Sequence, residues 1–202
     1  QNQIVFLAAI LQPPFFDPDA DPAVNFGALG MVVGHEIGHG FDDQGSHSDG
    51  TGKLREWWTK EARAHFTERT QKLAAQYDQY SPIPGARING KLTLGENIGD
   101  MGGLSLAYSA YQKYKAEKYP DGKEPILDGF TGNQRFFLAD AQVWRSITTD
   151  DRMRFLLLTN PHSPGEFRTN GIVRNFTPWY EAFGVSEKNK LFLPKEQRIS
   201  IW

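Results

Sequence analysis

The sequence predicts a mainly α-helical domain with minor β structure. Apolar residues recur at helical spacing in several long segments, whereas the segments with strand character are short. The sequence contains no internal repeat, coiled-coil heptad or low-complexity linker that would divide it. A length of 202 residues is enough for one sizeable domain or for one piece of a larger enzyme, and we interpret residues 1–202 as a single domain.

The first quarter of the chain contains one short apolar segment and one buried helix. Residues 3–11 (QIVFLAAIL) are partly β-branched and run towards two prolines, which predicts a short buried strand or an extended segment. Residues 17–22 (DPDADP) predict a solvated loop; the alternative, a calcium loop, needs a ligand spacing that the prolines interrupt. Residues 25–41 predict a buried, closely packed helix, and Gly40 with the two aspartates that follow Phe41 indicates its end.

Longer amphipathic segments fill the rest of the chain. Residues 54–80 carry an apolar stripe at helical spacing, and His65 lies among their charged residues, which indicates a surface residue rather than a ligand. Residues 81–95 contain turn residues and one short strand candidate. Further helices are predicted at residues 96–118, 133–145, 150–158 and 178–183.

Composition and charge narrow the possible functions. The net charge of −2 gives no support for binding to nucleic acid or to an anionic membrane surface, because both select basic patches. No segment reaches the roughly 18 to 20 apolar residues that span a bilayer. The chain has no cysteine, so any metal ligand must come from His, Glu, Asp or water.

Two histidines at helical spacing suggest a metal site. His35 and His39, in MVVGHEIGHGFDD, are four residues apart, so a helix places both imidazoles on one face. Zinc held by two imidazoles needs a third protein ligand and keeps one position for water. Glu36 lies about 100° around the helix from His35, where it can accept a proton from that water. The alternative is a buried helix whose polar side chains are satisfied locally.

A second pair of polar residues supplies candidates for the third ligand. Glu96 and Asp100, in TLGENIGDMGG, are four residues apart and share one helical face. Glu96 as a ligand would leave a zinc site with a net charge of about +1, which keeps water acidic. Asp100 could accept a hydrogen bond from the outer nitrogen of a ligating histidine. The alternative is an acidic first turn stabilised by the helix dipole.

Six segments of the sequence, in order, resemble the neprilysin and endothelin-converting-enzyme family of zinc metallopeptidases. They are ILQPPFF, GHEIGHGFDD, GENIGDMGG, AQVWR, NPHSPGEFR and the terminal Trp202, and they cover essentially the whole chain. The resemblance implies a thermolysin-like zincin catalytic domain that forms the C-terminal portion of a longer polypeptide. Vertebrate members have a cysteine near the end where this chain reads RISIW, which indicates a bacterial-type member.

The resemblance also implies roles in the chemistry. His35, His39 and Glu96 resemble the ligands of one zinc ion per chain, and Glu36 resembles the general base. His162, in NPHSPGEFR, resembles the histidine that hydrogen-bonds the oxyanion of the reaction. Asp100 resembles a residue that supports catalysis by orienting a ligating histidine.

Other residues resemble positions that orient histidines or contact substrate. Asp42 and Asp100 resemble hydrogen-bond partners of the ligating histidines, and Arg168 resembles the arginine that holds the substrate's backbone carbonyl. Six further residues resemble those that line the apolar pocket for the substrate side chain directly after the cleaved bond. For each of them, core packing is the alternative. These pocket residues are Ile10, Phe15, Met31, Val32, Val143 and Trp144.

The implied function is zinc-dependent endopeptidase action on peptides, on the amino side of large hydrophobic residues. A catalytically inactive, zinc-stabilised structural or peptide-binding module is the alternative; the presence of both Glu36 and His162 favours the enzyme. The family's substrate-binding asparagine motif and most of its large helical domain would precede Gln1. We therefore expect the N-terminal portion of the same polypeptide to be a partner. The resemblance implies an extracytoplasmic location, periplasmic, secreted or membrane-anchored, with a cytoplasmic location as the alternative.

Overall fold

Helices dominate the computed structural model, which describes residues 2–202. The predicted mainly helical class is confirmed. No helix in this range is both long enough and apolar enough to cross a lipid bilayer. Within the same range the α-helices are α1 (Pro22–Asn25), α2 (Met31–Gly38), α3 (Lys60–Tyr77), α4 (Leu94–Lys118), α5 (Gly132–Val143), α6 (Asp150–Thr159), α7 (Gly165–Val173) and α8 (Thr177–Phe183).

The β structure of residues 2–202 is limited to isolated bridges. The strand candidate in residues 81–95 is reduced to one such bridge around a turn at Gly85, whose φ of 74° suits glycine. The three bridges join Ser48 to Leu54, Ile83 to Ala86 and Leu127 to Phe130.

The apolar segment at residues 3–11 differs from its prediction. It forms no strand, and Ala8–Ile10 form a 3₁₀-helix instead. Leu7 has extended backbone angles, which fits the alternative of an extended segment, but its side chain is 74% exposed. Apolar composition alone did not bury this segment, because no other strand in the described range pairs with it.

The helix predicted at residues 25–41 is present and begins three residues earlier. α1, a π-helical turn at Phe26–Gly30, α2 and a 3₁₀ turn at His39–Phe41 follow one another without a break. The helix predicted at residues 54–80 starts later, because Thr59 caps α3 by accepting a hydrogen bond from the Ala62 backbone N–H. His65 is exposed on α3, as predicted.

The centre of the fold is α4, which packs against α2, α3 and α7. Ile98 and Leu104 on α4 are fully buried. Stacked and edge-on aromatic rings of α4 and α5 extend this core, with Tyr111 and Phe136 stacked at a centroid distance of 5.7 Å. The core therefore surrounds the helix that carries Glu96 and Asp100.

Glycines allow α2 and α4 to approach each other closely. A Cβ atom at Gly34 would lie 2.9 Å from the Cα of Gly103. A Cβ atom at Gly103 would lie 2.6 Å from the Met31 carbonyl oxygen and 2.7 Å from the His35 backbone nitrogen. Since these are backbone atoms, a larger residue can be accommodated only if the helices move apart.

We predict that Gly103→Ala separates α2 from α4. The added methyl group has no free space, so the free energy of unfolding should fall by about 1–3 kcal/mol. Zinc affinity should fall as well, because His35 lies at this contact. Urea unfolding and competition with a zinc-binding dye would measure the two effects.

Gly40→Ala is the matched control, because a Cβ atom at Gly40 meets nothing within 4 Å. Its stability should change by no more than about 0.5 kcal/mol. Equal effects of the two substitutions would show that the α2–α4 contact is not limiting.

Candidate metal centre

Three side chains, from α2, the 3₁₀ turn that follows it and α4, form a group that could hold a metal ion. The group consists of His35, His39 and Glu96, and one ligand atom of each lies within 4.8 Å of the others. The Oε2 atom of Glu96 lies 3.1 Å from Nε2 of His35 and 3.7 Å from Nε2 of His39. The four-residue spacing therefore places both imidazoles towards the same carboxylate.

One carboxylate oxygen of this group has no hydrogen bond. Glu96 Oε2 is buried, and although three histidine Nε2 atoms approach within 4 Å, none meets hydrogen-bond geometry with it. A buried carboxylate oxygen without a partner is costly, and a cation would supply one. Two imidazole nitrogens and one carboxylate oxygen also form a donor set that suits zinc. The residues present thus fit a zinc ion.

Both histidines of the group are oriented through their outer nitrogens. Nδ1 of His35 lies 2.8 Å from Asp100 Oδ1, and Nδ1 of His39 lies 2.8 Å from Asp42 Oδ2. Asp42 is itself held by the backbone N–H groups of Gln44 and Gly45. These contacts leave Nε2 of each histidine directed at Glu96, which is the orientation that metal ligation needs.

Arg168 is paired with Asp100. Its Nε donates to Asp100 Oδ2 at 2.8 Å and its Nη2 donates to Oδ1 at 2.6 Å. The guanidinium also lies 3.7 Å from the ring centroid of Trp144, and the residue is 8% exposed. Arg168 therefore anchors the carboxylate that orients His35, while its predicted contact with a substrate carbonyl stays a prediction.

Opposite charges shift the proton affinities of the group. Burial lowers the pKa of His35, but the carboxylates of Asp100 and Glu96 outweigh burial and raise this pKa to about 9. Burial raises the pKa of Asp100, but Arg168 and His35 outweigh it and hold this pKa below its usual value. A metal ion must therefore displace a proton when it binds His35.

Two further predicted residues lie at the edge of the group. His162 lies on the loop between α6 and α7, and its Nε2 lies 3.1 Å from Glu96 Oε2. Its backbone N–H donates to Asn160 Oδ1 at 2.9 Å, and its side chain is 44% exposed. Glu36 follows His35 on α2 and is exposed. Both side chains are accessible to a ligand in solution.

The residues predicted to line an apolar pocket fall into two sets. Met31 and Val32 are buried in the core, which agrees with the core-packing alternative. The others are partly exposed, and Phe15 meets Trp144 edge-on at 6.4 Å between ring centroids. The partly exposed set is Ile10, Phe15, Val143 and Trp144.

Comparison with known proteins identifies the family. The profile of peptidase family M13 matches residues 1–199. The chain belongs to peptidase family M13. The predicted resemblance to the neprilysin and endothelin-converting-enzyme family is thereby confirmed.

Relatives of known name support this membership in the M13 family. The chain is 46% identical over 185 residues to endothelin-converting enzyme 1 of Rattus norvegicus, which covers 91% of the chain and 24% of that protein. It is 43% identical over 206 residues to neprilysin of Homo sapiens, which covers 100% of the chain and 27% of that protein. The chain thus spans about a quarter of the length of these relatives.

A crystal structure shares the fold. The Mycobacterium tuberculosis zinc metalloprotease Zmp1, in complex with an inhibitor, superposes with a TM-score of 0.91 at 50% identity. The match covers 96% of this chain and 30% of that chain. The predicted metallopeptidase fold is confirmed by this similarity.

Sequence reasoning missed the side chains that fix the His162 loop. Ser163 donates to Asn97 Oδ1 at 2.7 Å, and Asn97 Nδ2 donates to Thr93 Oγ1 at 2.9 Å. Asn97 and Ser163 are both buried. The sequence did contain a signal for Asn97. Asparagine is an unusual residue inside a helix, and this one directly follows the candidate ligand Glu96 and lies four residues after Thr93.

A second missed residue is the buried Asp140 on α5. It is 1% exposed, and neither carboxyl oxygen has a hydrogen bond. Burial raises the pKa of Asp140 well above its usual value, and the Asp100 charge adds to the effect, while Trp144 and Arg168 oppose it. Asp140 therefore holds its proton more tightly than an ordinary aspartate does.

We predict that Asp140→Asn makes stability less sensitive to alkali. A raised pKa in the folded state means that the unfolded chain releases this proton first, so the free energy of unfolding falls as the pH rises from the usual aspartate range towards the folded pKa. The amide has the same shape and does not ionise. The stability difference between variant and wild type should grow with pH, by at most about 1.4 kcal/mol per unit.

Urea unfolding between about pH 5 and pH 8 would measure this difference. Asp19→Asn, at an exposed position, is the control and should show a constant difference. A constant difference for Asp140→Asn as well would contradict the raised pKa of Asp140.

Proposed function

We propose that this chain is the zinc-dependent catalytic portion of an endopeptidase that hydrolyses peptides. The observation that carries the proposal is that two histidine Nε2 atoms lie close to a buried oxygen of Glu96 that has no hydrogen bond. Membership in peptidase family M13 supports peptides as the substrate class. One such group occurs in residues 2–202, which supports one zinc ion per chain.

His35, His39 and Glu96 would hold the ion, and Asp100 and Asp42 would keep the histidines in the ligating tautomer. Zinc bound there supplies a Lewis acid that polarises a peptide carbonyl and acidifies water. The chain's own residues must then move protons and stabilise charge.

The exposed Glu36 carboxylate suits the proton transfers. It would take a proton from the attacking water and return it to the leaving amine. His162 suits the stabilisation of charge, because it lies on a tethered loop beside the metal group and can donate a hydrogen bond to the developing oxyanion.

We predict that Glu36→Gln separates metal binding from turnover. The amide keeps the size of the side chain but cannot accept a proton, so turnover should fall by about 10²- to 10⁴-fold. Zinc content should stay near that of wild type, because Glu36 is not in the ligand group. Metal analysis and cleavage of a quenched peptide by the complete polypeptide would measure both quantities.

Glu96→Gln is the matched variant within the ligand group. It removes a negative charge from the metal, so zinc affinity should fall together with turnover. Unchanged turnover in Glu36→Gln would remove Glu36 as the base. A wild-type polypeptide that binds zinc and cleaves no peptide would favour the alternative of a zinc-stabilised binding module.

The partly exposed apolar residues support a preference at the cleaved bond. We propose that Phe15, Val143 and Trp144 contact the side chain directly after this bond and favour a large hydrophobic one. Replacing that substrate residue by Asp would bury an unpaired charge, so kcat/KM should fall by about a hundredfold or more.

Two peptides that differ only at this residue, Leu against Asp, would test the preference. A peptide with Asp several positions away is the control for overall charge. Faster cleavage of the peptide with Asp after the bond would contradict the proposed pocket.

Two wider proposals rest on the family resemblance. We propose that the N-terminal portion of the same polypeptide completes the substrate site and that the protein works outside the cytoplasm. Comparison of peptide cleavage by residues 1–202 and by the complete polypeptide would test the first proposal, and fractionation of the source cells would test the second.

A further inference from the structure

A cavity of about 470 Å³ lies beside the metal group and is not explained by it. The cavity is lined by α6, residues 146–148 before it, the loop between α6 and α7, the start of α7 and residues 82–93. His162 forms part of its wall, whereas His35, His39 and Glu96 do not line it. The cavity is therefore a separate space that borders the metal group at His162.

We propose that this cavity binds the side chain of the substrate residue directly before the cleaved bond, and that it favours lysine or arginine there. The proposal rests on the proposed peptidase function, since it extends the same site. It follows from the position of the cavity, from the apolar face that lines it and from the charges around it.

The position follows from the connectivity of a peptide. If His162 donates to the carbonyl oxygen of the cleaved bond, that carbonyl belongs to the residue before the bond. The Cα that carries the side chain is bonded directly to the carbonyl carbon, at about 1.5 Å. This side chain therefore starts within a few ångströms of His162. The residues proposed to contact the following side chain, Phe15, Val143 and Trp144, do not line the cavity.

One apolar face of α6 lines the cavity. Met153, Leu156 and Leu157 have the i, i+3, i+4 spacing of one helical face, and all three line the cavity. α6 has no fully buried residue, and although Leu157 also packs against the core, all three side chains stay partly exposed. Ile83, Ile88 and Phe167 line the cavity as well. An apolar wall of this kind suits the methylene stem of a long side chain.

The charges favour a cation at the end of that stem. Asp150 and Glu166 line the cavity, and no lysine or arginine does. Each lies in the first turn of a helix, where the dipole contributes about half a positive charge, so two full negative charges leave the cavity net negative. Arg154 of α6 donates to the Pro84 carbonyl oxygen at 3.3 Å and is not part of the lining.

Binding can be tested without catalysis. In the zinc-loaded complete polypeptide with labelled methyl groups, Nα-acetyl-arginine amide should shift the signals of Ile83, Ile88 and Met153 saturably. Nα-acetyl-glutamate amide should shift them at least tenfold less at equal concentration. Equal shifts with both amides, or shifts absent from these three residues, would overturn the proposal whether or not the protein is a peptidase.

Cleavage gives the second test. Among peptides that differ only in the residue before the bond, we expect arginine and lysine to exceed glycine in kcat/KM, and glutamate to fall below glycine. Leu156→Trp fills the cavity and should reduce kcat/KM for the arginine peptide by tenfold or more, with little change for the glycine peptide. Leu158→Trp is the control, because Leu158 is 80% exposed on the same helix and does not line the cavity.

A second variant tests the proposal even if Leu156→Trp does not fold. Asp150→Asn combined with Glu166→Gln removes the charges and should abolish the advantage of arginine over norleucine. Retention of the arginine preference in this variant would overturn the proposal. Failure to cleave even the glycine peptide would instead mark failure of the proposed peptidase function, and the methyl signals would still decide the binding.

Discussion

The close contact between α2 and α4 is the constraint on which the metal group depends. The helices meet where Gly34 faces Gly103, and a Cβ atom at Gly99 would lie 2.8 Å from Nδ1 of His35. At this separation the short side chains of Glu96 and Asp100 reach both edges of one imidazole. A wider separation would require longer side chains, which lose more rotamer entropy when they are held in place. Small residues at the crossing therefore allow a rigid set of ligands.

The charges around Asp100 affect the pKa values of the surrounding residues. Asp100 is fully buried, and its oxygens are taken by His35 and by two hydrogen bonds from Arg168. Removing one partner from such a buried pair costs about 3–5 kcal/mol, because the remaining charge is left uncompensated. Burial raises the pKa of the nearby Asp140 well above its usual value, and the charge of Asp100 adds to this effect. At Glu96, by contrast, burial is outweighed by His162 and His35, which lower the pKa and keep this carboxylate negatively charged towards the metal position.

Local patterns predicted most of the helices, because helix periodicity depends on neighbours in sequence. They also suggested His35, His39 and Glu96 as candidate ligands, and the structure brings these three side chains together. Residues 3–11 show the limit of this reasoning, since an apolar segment becomes a strand only if another strand pairs with it. The start of α3 at Lys60 depended on a cap at Thr59 rather than on the apolar stripe. Asn97 carried a local signal, but its partner Ser163 could not be predicted, because the two residues are 66 positions apart and meet only through tertiary packing.

One helix, α4, positions three of the polar side chains that the proposed chemistry uses. α4 carries Glu96 for the metal, Asp100 for His35 and Asn97 for the loop of His162. Consecutive positions 96 and 97 point in directions about 100° apart, so the ligand and the loop tether leave the helix on different sides. His162 is thereby fixed between the metal group and the α6 cavity. A donor held in this place can contact the carbonyl oxygen of a substrate while the adjacent side chain enters the cavity, so one tether would serve both charge stabilisation and selectivity.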